Sequence, residues 1–276
     1  MENTYRAYAK INYNLFLTGR REDGYHLLDT LMQTVSLYDM VTVQPSDEIE
    51  LVCDRFPGRE NLAFRAAELL RKETGCGKGV KITLEKRIPS GAGLGGGSSD
   101  AACVLNALNE FWGLNLPQER LAAMALTLGA DVPFFLSGGL ARCRGVGELL
   151  TPLASLASYP MLLLFPGQGV STPECYRAFD RSGRAFSLPT DPPLPGEELA
   201  FFRGLHNDLE QPASELVPEL TQVRTALEIT KPLGCSMSGS GSAFFALYAG
   251  TRERDEARKA LSGRGWALYD AEPVCP

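Results

Sequence analysis

The sequence predicts an α+β protein of two domains, residues 1–157 and 158–276. With 276 residues, 44% of them hydrophobic, the chain exceeds what one core usually needs and is apolar enough to build two. An alternating strand, 80–88, runs into a glycine-rich loop and then into an amphipathic helix, with Ala101, Val104, Leu105, Leu108, Phe111 and Trp112 at helical spacing. Past the apolar run at 160–167, helical stretches, a second glycine/serine loop, a strand, a helix and a last strand follow. That order suggests a split βαβ, ferredoxin-like unit.

In chain order, residues 5–17 suit a strand. Lys10, Asn12 and Asn14 recur at every second position and so share one face, which is either a solvent-facing edge or the lining of a site. The turn-rich, charged segment 19–26 ends in Tyr25 and His26, one of only two histidines. Residues 41–43 and 49–52 alternate as a hairpin would, with Pro45, Ser46 and Asp47 in its turn. Asn61 caps a helix that starts at Leu62 and is stopped by Gly75, and the helix leaving the glycine loop ends at Gly113. Pro117 opens another helix, which Gly129 stops. Asp131 follows directly, ahead of Val132, Pro133, Phe134 and Phe135, a setting that partly buries it. A buried carboxylate is either paired structurally or employed chemically.

Glycines 138, 139, 145 and 147, interleaved with Arg142 and Arg144, read as tight strands and turns. The apolar strand at 160–167 opens the second domain, and Pro173 sits at the first position of a helix. Residues 181–196, rich in Pro, Ser and charge, read as an exposed loop. Residues 207–210 precede a helical stretch containing 217–227. The second glycine/serine loop, 237–242, leads into the strand 243–248, followed by a helix at 252–261 and a strand from 267.

A net charge of −6 argues against a general nucleic-acid or anionic-membrane surface, so an anionic ligand must be held locally. Seven cysteines, spread out and without a CxxC pair, read as thiols in a reducing compartment. The N-terminal stretch lacks the apolar core of a signal peptide and no run is long enough to span a bilayer, so the expectation is a soluble, cytoplasmic protein.

The glycine loop joins Pro89, Ser90, Gly91, Ala92, Gly93, Leu94, Gly95, Gly96, Gly97, Ser98, Ser99 and Asp100. Glycines leave backbone amides unscreened, and the first amides of a helix lack intrahelical partners and lie at its positive end. That is the geometry of a phosphate site. The plainer reading is a flexible connection in which Ser98, Ser99 and Asp100 merely cap the helix. A Walker A loop would need lysine where Gly97-Ser98-Ser99 has none. Gly91, Gly93 and Gly96 formally satisfy a dinucleotide fingerprint, but the acidic residue expected about twenty positions on would be Glu110, which falls inside the helix. Protein-kinase signatures are absent.

Residues 89–102 resemble the central motif of the GHMP kinases, small-molecule kinases with a ribosomal-protein-S5-like N-terminal domain and a ferredoxin-like C-terminal domain. The segments 9–12, 19–26, 91–102, 128–135, 207–210 and 237–245 resemble, in order, one branch of that family; only 181–196 finds no match. The resemblance implies ATP-dependent phosphorylation of the 2-hydroxyl of a cytidyl-diphosphate-linked methylerythritol, a small-molecule substrate of the non-mevalonate isoprenoid pathway. Lys10 and Asp131 would be the catalytic pair. Pro89, Gly91, Gly93, Leu94, Gly95, Gly96, Gly97, Ser98 and Ser99 would hold ATP with Mg²⁺, whose protein ligands stay open, Ser99 being one candidate. Asn61 and Leu62 would meet the adenosine, and Lys86 would lie near the nucleotide. Tyr25 and Tyr176 would sandwich the cytosine, His26 would read its edge and Asn12 would touch the erythritol. The alternatives are a GHMP kinase acting on mevalonate, homoserine or galactose, a non-catalytic ATP and sugar sensor, and a nicotinamide-dependent oxidoreductase. The Tyr25-His26 loop speaks against the first, and the presence of both Lys10 and Asp131 against the second.

Overall fold

The computed structural model describes residues 2–194 and 196–275. The chain forms two compact units that alternate along the sequence. One takes the residues up to Ala9, Leu37–Ile88 and Gly95–Gly138; the other takes Lys10–Ser36, Pro89–Leu94 and the residues from Gly139 on.

Two long strands, β1 (Asn3–Arg20) and β2 (His26–Gln44), contribute to both units. In the first unit they are followed by β3 (Ile49–Val52), α1 (Leu62–Thr74), β4 (Val80–Glu85), α2 (Gly96–Phe111), α3 (Gln118–Leu128) and α4 (Val132–Ser137). The end of β2, Met40–Gln44, pairs antiparallel with β4, and β4 pairs parallel with β3. The hairpin expected from residues 41–43 and 49–52 therefore does not form, because β4 lies between the two strands. Parallel pairing requires a crossover, and α1 supplies it. Asn61 caps α1 as its position suggests, its Oδ1 accepting from the Ala63 amide at 2.9 Å, and Gly75 ends it at φ +66°. The core joins Val41, Val43, Ile82 and Leu84 of the strands to Ala63, Ala66, Ala67 and Leu70 of α1 and Ala101, Val104, Leu105 and Leu108 of α2. Small alanines on both helices let them approach closely.

In the second unit the first half of β2, Leu28–Gln33, pairs antiparallel with β5 (Leu140–Gly145), which pairs with β6 (Leu149–Leu153). There follow β7 (Met161–Phe165), α5 (Thr172–Ser182), α6 (Glu198–Arg203), α7 (Glu210–Leu216), α8 (Glu219–Ile229), β8 (Gly234–Met237), β9 (Phe244–Leu247), α9 (Thr251–Leu261) and β10 (Ala267–Ala271). The sheet order β10-β7-β9-β8, with every neighbour antiparallel, is the ferredoxin-like arrangement expected from the element order. Its core unites Leu162, Leu164, Phe244 and Ala246 with Cys175, Phe179, Leu220, Val223 and Leu227 of the helices.

Within 181–196, of which Pro195 lies outside the described residues, Leu188 is fully exposed, as the loop reading expects. The loop is nonetheless tied: the Ser187 amide donates to the Leu17 carbonyl at 2.8 Å, and Arg142, forked onto Asp29, reaches Asp191 at 3.0 Å. No described helix is long and apolar enough to cross a membrane.

Candidate active site

Within the first unit, the start of α2 is built to leave amides open. Gly95 is its N-cap at φ +72°, no side chain caps it, and the first intrahelical bond runs from the Ser99 amide to the Gly95 carbonyl at 2.9 Å. The amides of Gly96, Gly97 and Ser98 precede that bond and so have no partner in the helix. The capping reading of Ser98, Ser99 and Asp100 is thereby overturned. The Ser99 hydroxyl instead donates to the Tyr8 carbonyl at 2.6 Å, and Asp100 turns inward. Leu62 packs on the open side of Gly97, where an added Cβ would lie 3.7 Å from Leu62 Cδ1. The Asn61 amide is engaged at both ends, its Nδ2 donating to the Phe56 carbonyl at 3.0 Å.

Beneath the loop, the buried Lys86 ammonium donates to both Asp39 and Asp100. Asp39 also accepts from the Ile88 amide at 2.8 Å and from the Arg87 amide, which binds the end of β4 to β2. Burial alone would lower the Lys86 pKa, but the two carboxylates outweigh it and hold the ammonium protonated. Burial pushes the Asp100 carboxyl up to about 7 against the pull of Lys86, with the nearby Asp39 charge adding to the rise. Lys86 is thus oriented toward the cluster that seats the first turn of α2. Asp131 is half-buried at the N-cap of α4 and its carboxylate makes no bond to the helix amides.

In the second unit, the solvent-edge reading of Lys10, Asn12 and Asn14 fails: they are 3%, 1% and 5% exposed. Lys10 Nζ donates to Asn12 Oδ1 at 2.5 Å and lies against the second glycine/serine loop, 3.1 Å from where a Cβ on Gly239 would sit. That loop packs on the first. The Ser238 hydroxyl donates to the Gly93 carbonyl at 2.9 Å, the Ala243 amide donates to the Ala92 carbonyl at 3.0 Å, and the Lys10 amide donates to the Leu94 carbonyl at 3.0 Å. Asn207 holds the second loop from beneath, donating to the Met237 and Gly239 carbonyls at 2.8 Å each. Pro89 and Gly91 belong to this unit as well, the Gly91 carbonyl accepting from the Val170 amide at 3.3 Å.

The same unit places Tyr25, 66% exposed, at the base of a tight turn closed by the Arg21 amide on the Tyr25 carbonyl at 2.8 Å. His26 beside it is buried and packs at a tilt of 32° on Tyr176, ring centroids 5.0 Å apart, with Phe179 and Phe186 around it. His26 Nε2 faces Asp180 Oδ1 at 2.7 Å. A carboxylate only accepts, so Nε2 carries the proton and in the neutral ring Nδ1 is left as an acceptor. Asp39, Asp180 and Asn207 hold Lys86, His26 and the second loop in place, and sequence reasoning left them without a role. Only Asn207 had a local signal, the segment 207–210.

Among the described residues no group of three or more His, Cys, Asp or Glu side chains converges as a metal cage. What the first turn of α2 offers an anion is its open backbone amides.

The sequence matches the model of the GHMP kinases N terminal domain over residues 61–139 and that of the GHMP kinases C terminal over 190–266. A 4-diphosphocytidyl-2-C-methyl-D-erythritol kinase of Thermus thermophilus is 48% identical over 268 residues, 95% of this chain and 94% of the relative. Its counterpart in Desulfitobacterium hafniense is 42% identical over 263 residues, 92% and 90% of the two chains. A crystal structure of 4-(cytidine 5'-diphospho)-2C-methyl-D-erythritol kinase superposes with a TM-score of 0.82 at 44% identity, covering 99% of this chain and 100% of the other.

Proposed function

Because the chain belongs to the 4-diphosphocytidyl-2-C-methyl-D-erythritol kinases, a family of GHMP kinases, we propose that it phosphorylates the 2-hydroxyl of 4-diphosphocytidyl-2-C-methyl-D-erythritol with ATP. The step serves the non-mevalonate route to isoprenoid precursors. The hydroxyl oxygen forms a bond to the γ-phosphorus, the bond from that phosphorus to the β–γ bridging oxygen breaks, and ADP leaves. A tertiary alcohol is a poor nucleophile, so Asp131 orients the hydroxyl and receives its proton while the Lys10 ammonium stabilises the forming alkoxide. The amides of Gly96, Gly97 and Ser98, with Gly91, Gly93 and Gly95 keeping the approach clear of side chains, hold the ATP phosphates through a loose, charge-spread transition state. Mg²⁺, bound with the nucleotide, would supply charge neutralisation at the phosphate oxygens. Asn61 and Leu62 flank the adenosine, and Lys86 serves the nucleotide by seating α2. The domain division at 157/158 separates the two segments matched to the family.

One observation carries the substrate choice. An exposed aromatic, Tyr25, adjoins a histidine whose Nε2 is engaged by Asp180 at 2.7 Å, which in the neutral ring leaves Nδ1 as an acceptor. Tyr25 and Tyr176 stack the cytosine, and Nδ1 accepts from its exocyclic amino group. Mevalonate and homoserine offer no base to such a pocket. A cytoplasmic location accords with the seven cysteines, none of which forms a disulfide among the described residues. The test is ADP release with ATP, Mg²⁺ and each candidate alcohol. Turnover of the cytidyl substrate alone is expected; turnover of mevalonate or homoserine in its place refutes the assignment, and no turnover of any alcohol favours a sensor.

A further inference from the structure

The polar stripe that carries Lys10 is wired by hydrogen bonds whose direction is determined one after another. Thr30, on β2, is fully buried, and its Oγ1 lies 2.5 Å from the Asn14 carbonyl and 2.8 Å from the Asn12 side-chain amide. A carbonyl can only accept, so the single Thr30 proton goes to Asn14. Toward Asn12, Thr30 can then only accept, and the Asn12 amide must present its NH₂ group. The amide is planar, so its Oδ1 faces the other way, where Lys10 Nζ donates to it at 2.5 Å. A turned amide would set NH₂ against an ammonium and Oδ1 against an oxygen with no proton left to give. The main chain is fixed as well: the Asn12 amide N–H donates to Ser238 Oγ at 3.3 Å, and Leu31 N–H donates to Asn14 Oδ1 at 2.8 Å.

We propose that Thr30 is a positioning residue for the phosphoryl-transfer reaction: its hydroxyl dictates the orientation of the Asn12 amide and through it the place of the Lys10 ammonium. The proposal rests on the reading of Lys10 as the catalytic ammonium. Thr30 touches neither substrate nor reacting atoms; it acts two hydrogen bonds away. Removing only the hydroxyl releases the Asn12 amide to turn, and the bond from the ammonium to Asn12 Oδ1 loses its fixed geometry while the backbone scaffold stays.

The test compares Thr30→Val, which keeps the shape but not the hydroxyl, with Thr30→Ser, which keeps the hydroxyl, and with Lys10→Gln. All are assayed at a temperature where circular dichroism shows each variant folded. Thr30→Val is expected to lower kcat by about tenfold or more, the scale of a small misplacement of a catalytic group, with KM for ATP within about twofold; Thr30→Ser restores kcat to within a few-fold. In the protein labelled at asparagine nitrogen, the Asn12 side-chain NH₂ protons, slow to exchange in the parent and in Thr30→Ser, become fast in Thr30→Val. A Thr30→Val enzyme of lowered Tm but parental kcat, beside an inactive Lys10→Gln, overturns the positioning role alone. Failure of Thr30→Ser to restore kcat overturns it too. A fully active Lys10→Gln refutes the reading of Lys10 and the inference with it.

Discussion

Gly93→Ala isolates the contact between the two glycine loops. A Cβ at this position would lie 2.0 Å from the Ser238 carbonyl oxygen, 3.0 Å from its carbon and 3.2 Å from the Gly241 nitrogen, against an ordinary contact of 3.4 Å or more. All three are backbone atoms and no side chain can swing away. The residue also sits at φ +75°, which disfavours any L side chain by about 1–2 kcal/mol. Parting the loops by more than an ångström breaks the bonds from the Ser238 hydroxyl to Gly93 and from the Ala243 amide to Ala92, each contributing about 1 kcal/mol. The sum is about 3–4 kcal/mol, a fall in Tm of roughly 6–15 °C for a chain of this size. Gly91→Ala is the control. It shares the left-handed backbone, φ +65°, but its Cβ would meet nothing nearer than the Gly169 Cα at 3.6 Å, so only the conformational penalty of about 1–2 kcal/mol remains. Thermal unfolding followed by circular dichroism, with KM for ATP measured on the folded protein, separates the two. If Gly93→Ala melts within a degree of Gly91→Ala, the inter-loop clash is not what demands glycine there, and the argument fails.

Asp131→Asn is expected to reduce kcat by about a hundredfold or more while nucleotide affinity persists, as loss of a proton acceptor should; steady-state kinetics with a direct nucleotide-binding measurement would expose a near-normal kcat as a refutation. Tyr25→Ala is expected to weaken the cytidyl substrate by about 1–3 kcal/mol, the usual worth of one stacked base, leaving KM for ATP alone; an unchanged KM for the cytidyl substrate removes Tyr25 from the site. His206 donates to Asp208 at 2.7 Å, which raises its pKa above the usual 6.5 despite partial burial. A raised histidine stabilises fully below its unfolded pKa and loses that contribution as pH climbs through the folded value. Chemical denaturation across this window should therefore show stability declining with pH in the parent and a flatter profile in His206→Gln; identical profiles refute the linkage.

The glycine-rich loop was legible because glycine density, a preceding strand and a following helical period are all local. The stripe of Lys10, Asn12 and Asn14 was legible only by halves. Alternation says that three residues share a face, but the elements that cover it, Thr30 of β2 and the loop at Ser238, come from elsewhere in the chain, the second more than two hundred residues away. The false hairpin has the same origin: alternation marks a strand and is silent on its partner, and the parallel pairing of β3 with β4 depends on where α1 carries the chain. β2 escaped notice over much of its length because both faces are buried between Leu28 and Val35, so Asp29, Thr30, Gln33 and Thr34 break the apolar period while pairing internally. β8 offers four residues, Gly-Cys-Ser-Met, with no β-branched side chain among them. Asp39 and Asp180 are single carboxylates without a motif, and only tertiary partners reveal them.

The alternation of the two units along the chain has a consequence for synthesis. The first unit has all its segments once residue 138 has left the ribosome. The second begins earlier, at Lys10, yet its last strand, β10, is Ala267–Ala271 and pairs with β7 more than a hundred residues upstream. Lys10–Ser36 thus emerges early, and although its own Thr30 and later β5 cover part of it, the loop at Ser238 that closes over its polar stripe follows more than two hundred residues later. Apolar surface and strand edges left open in this way during translation are prone to aggregate. The segment bearing the proposed catalytic lysine is among the earliest to be made and belongs to the last unit to close.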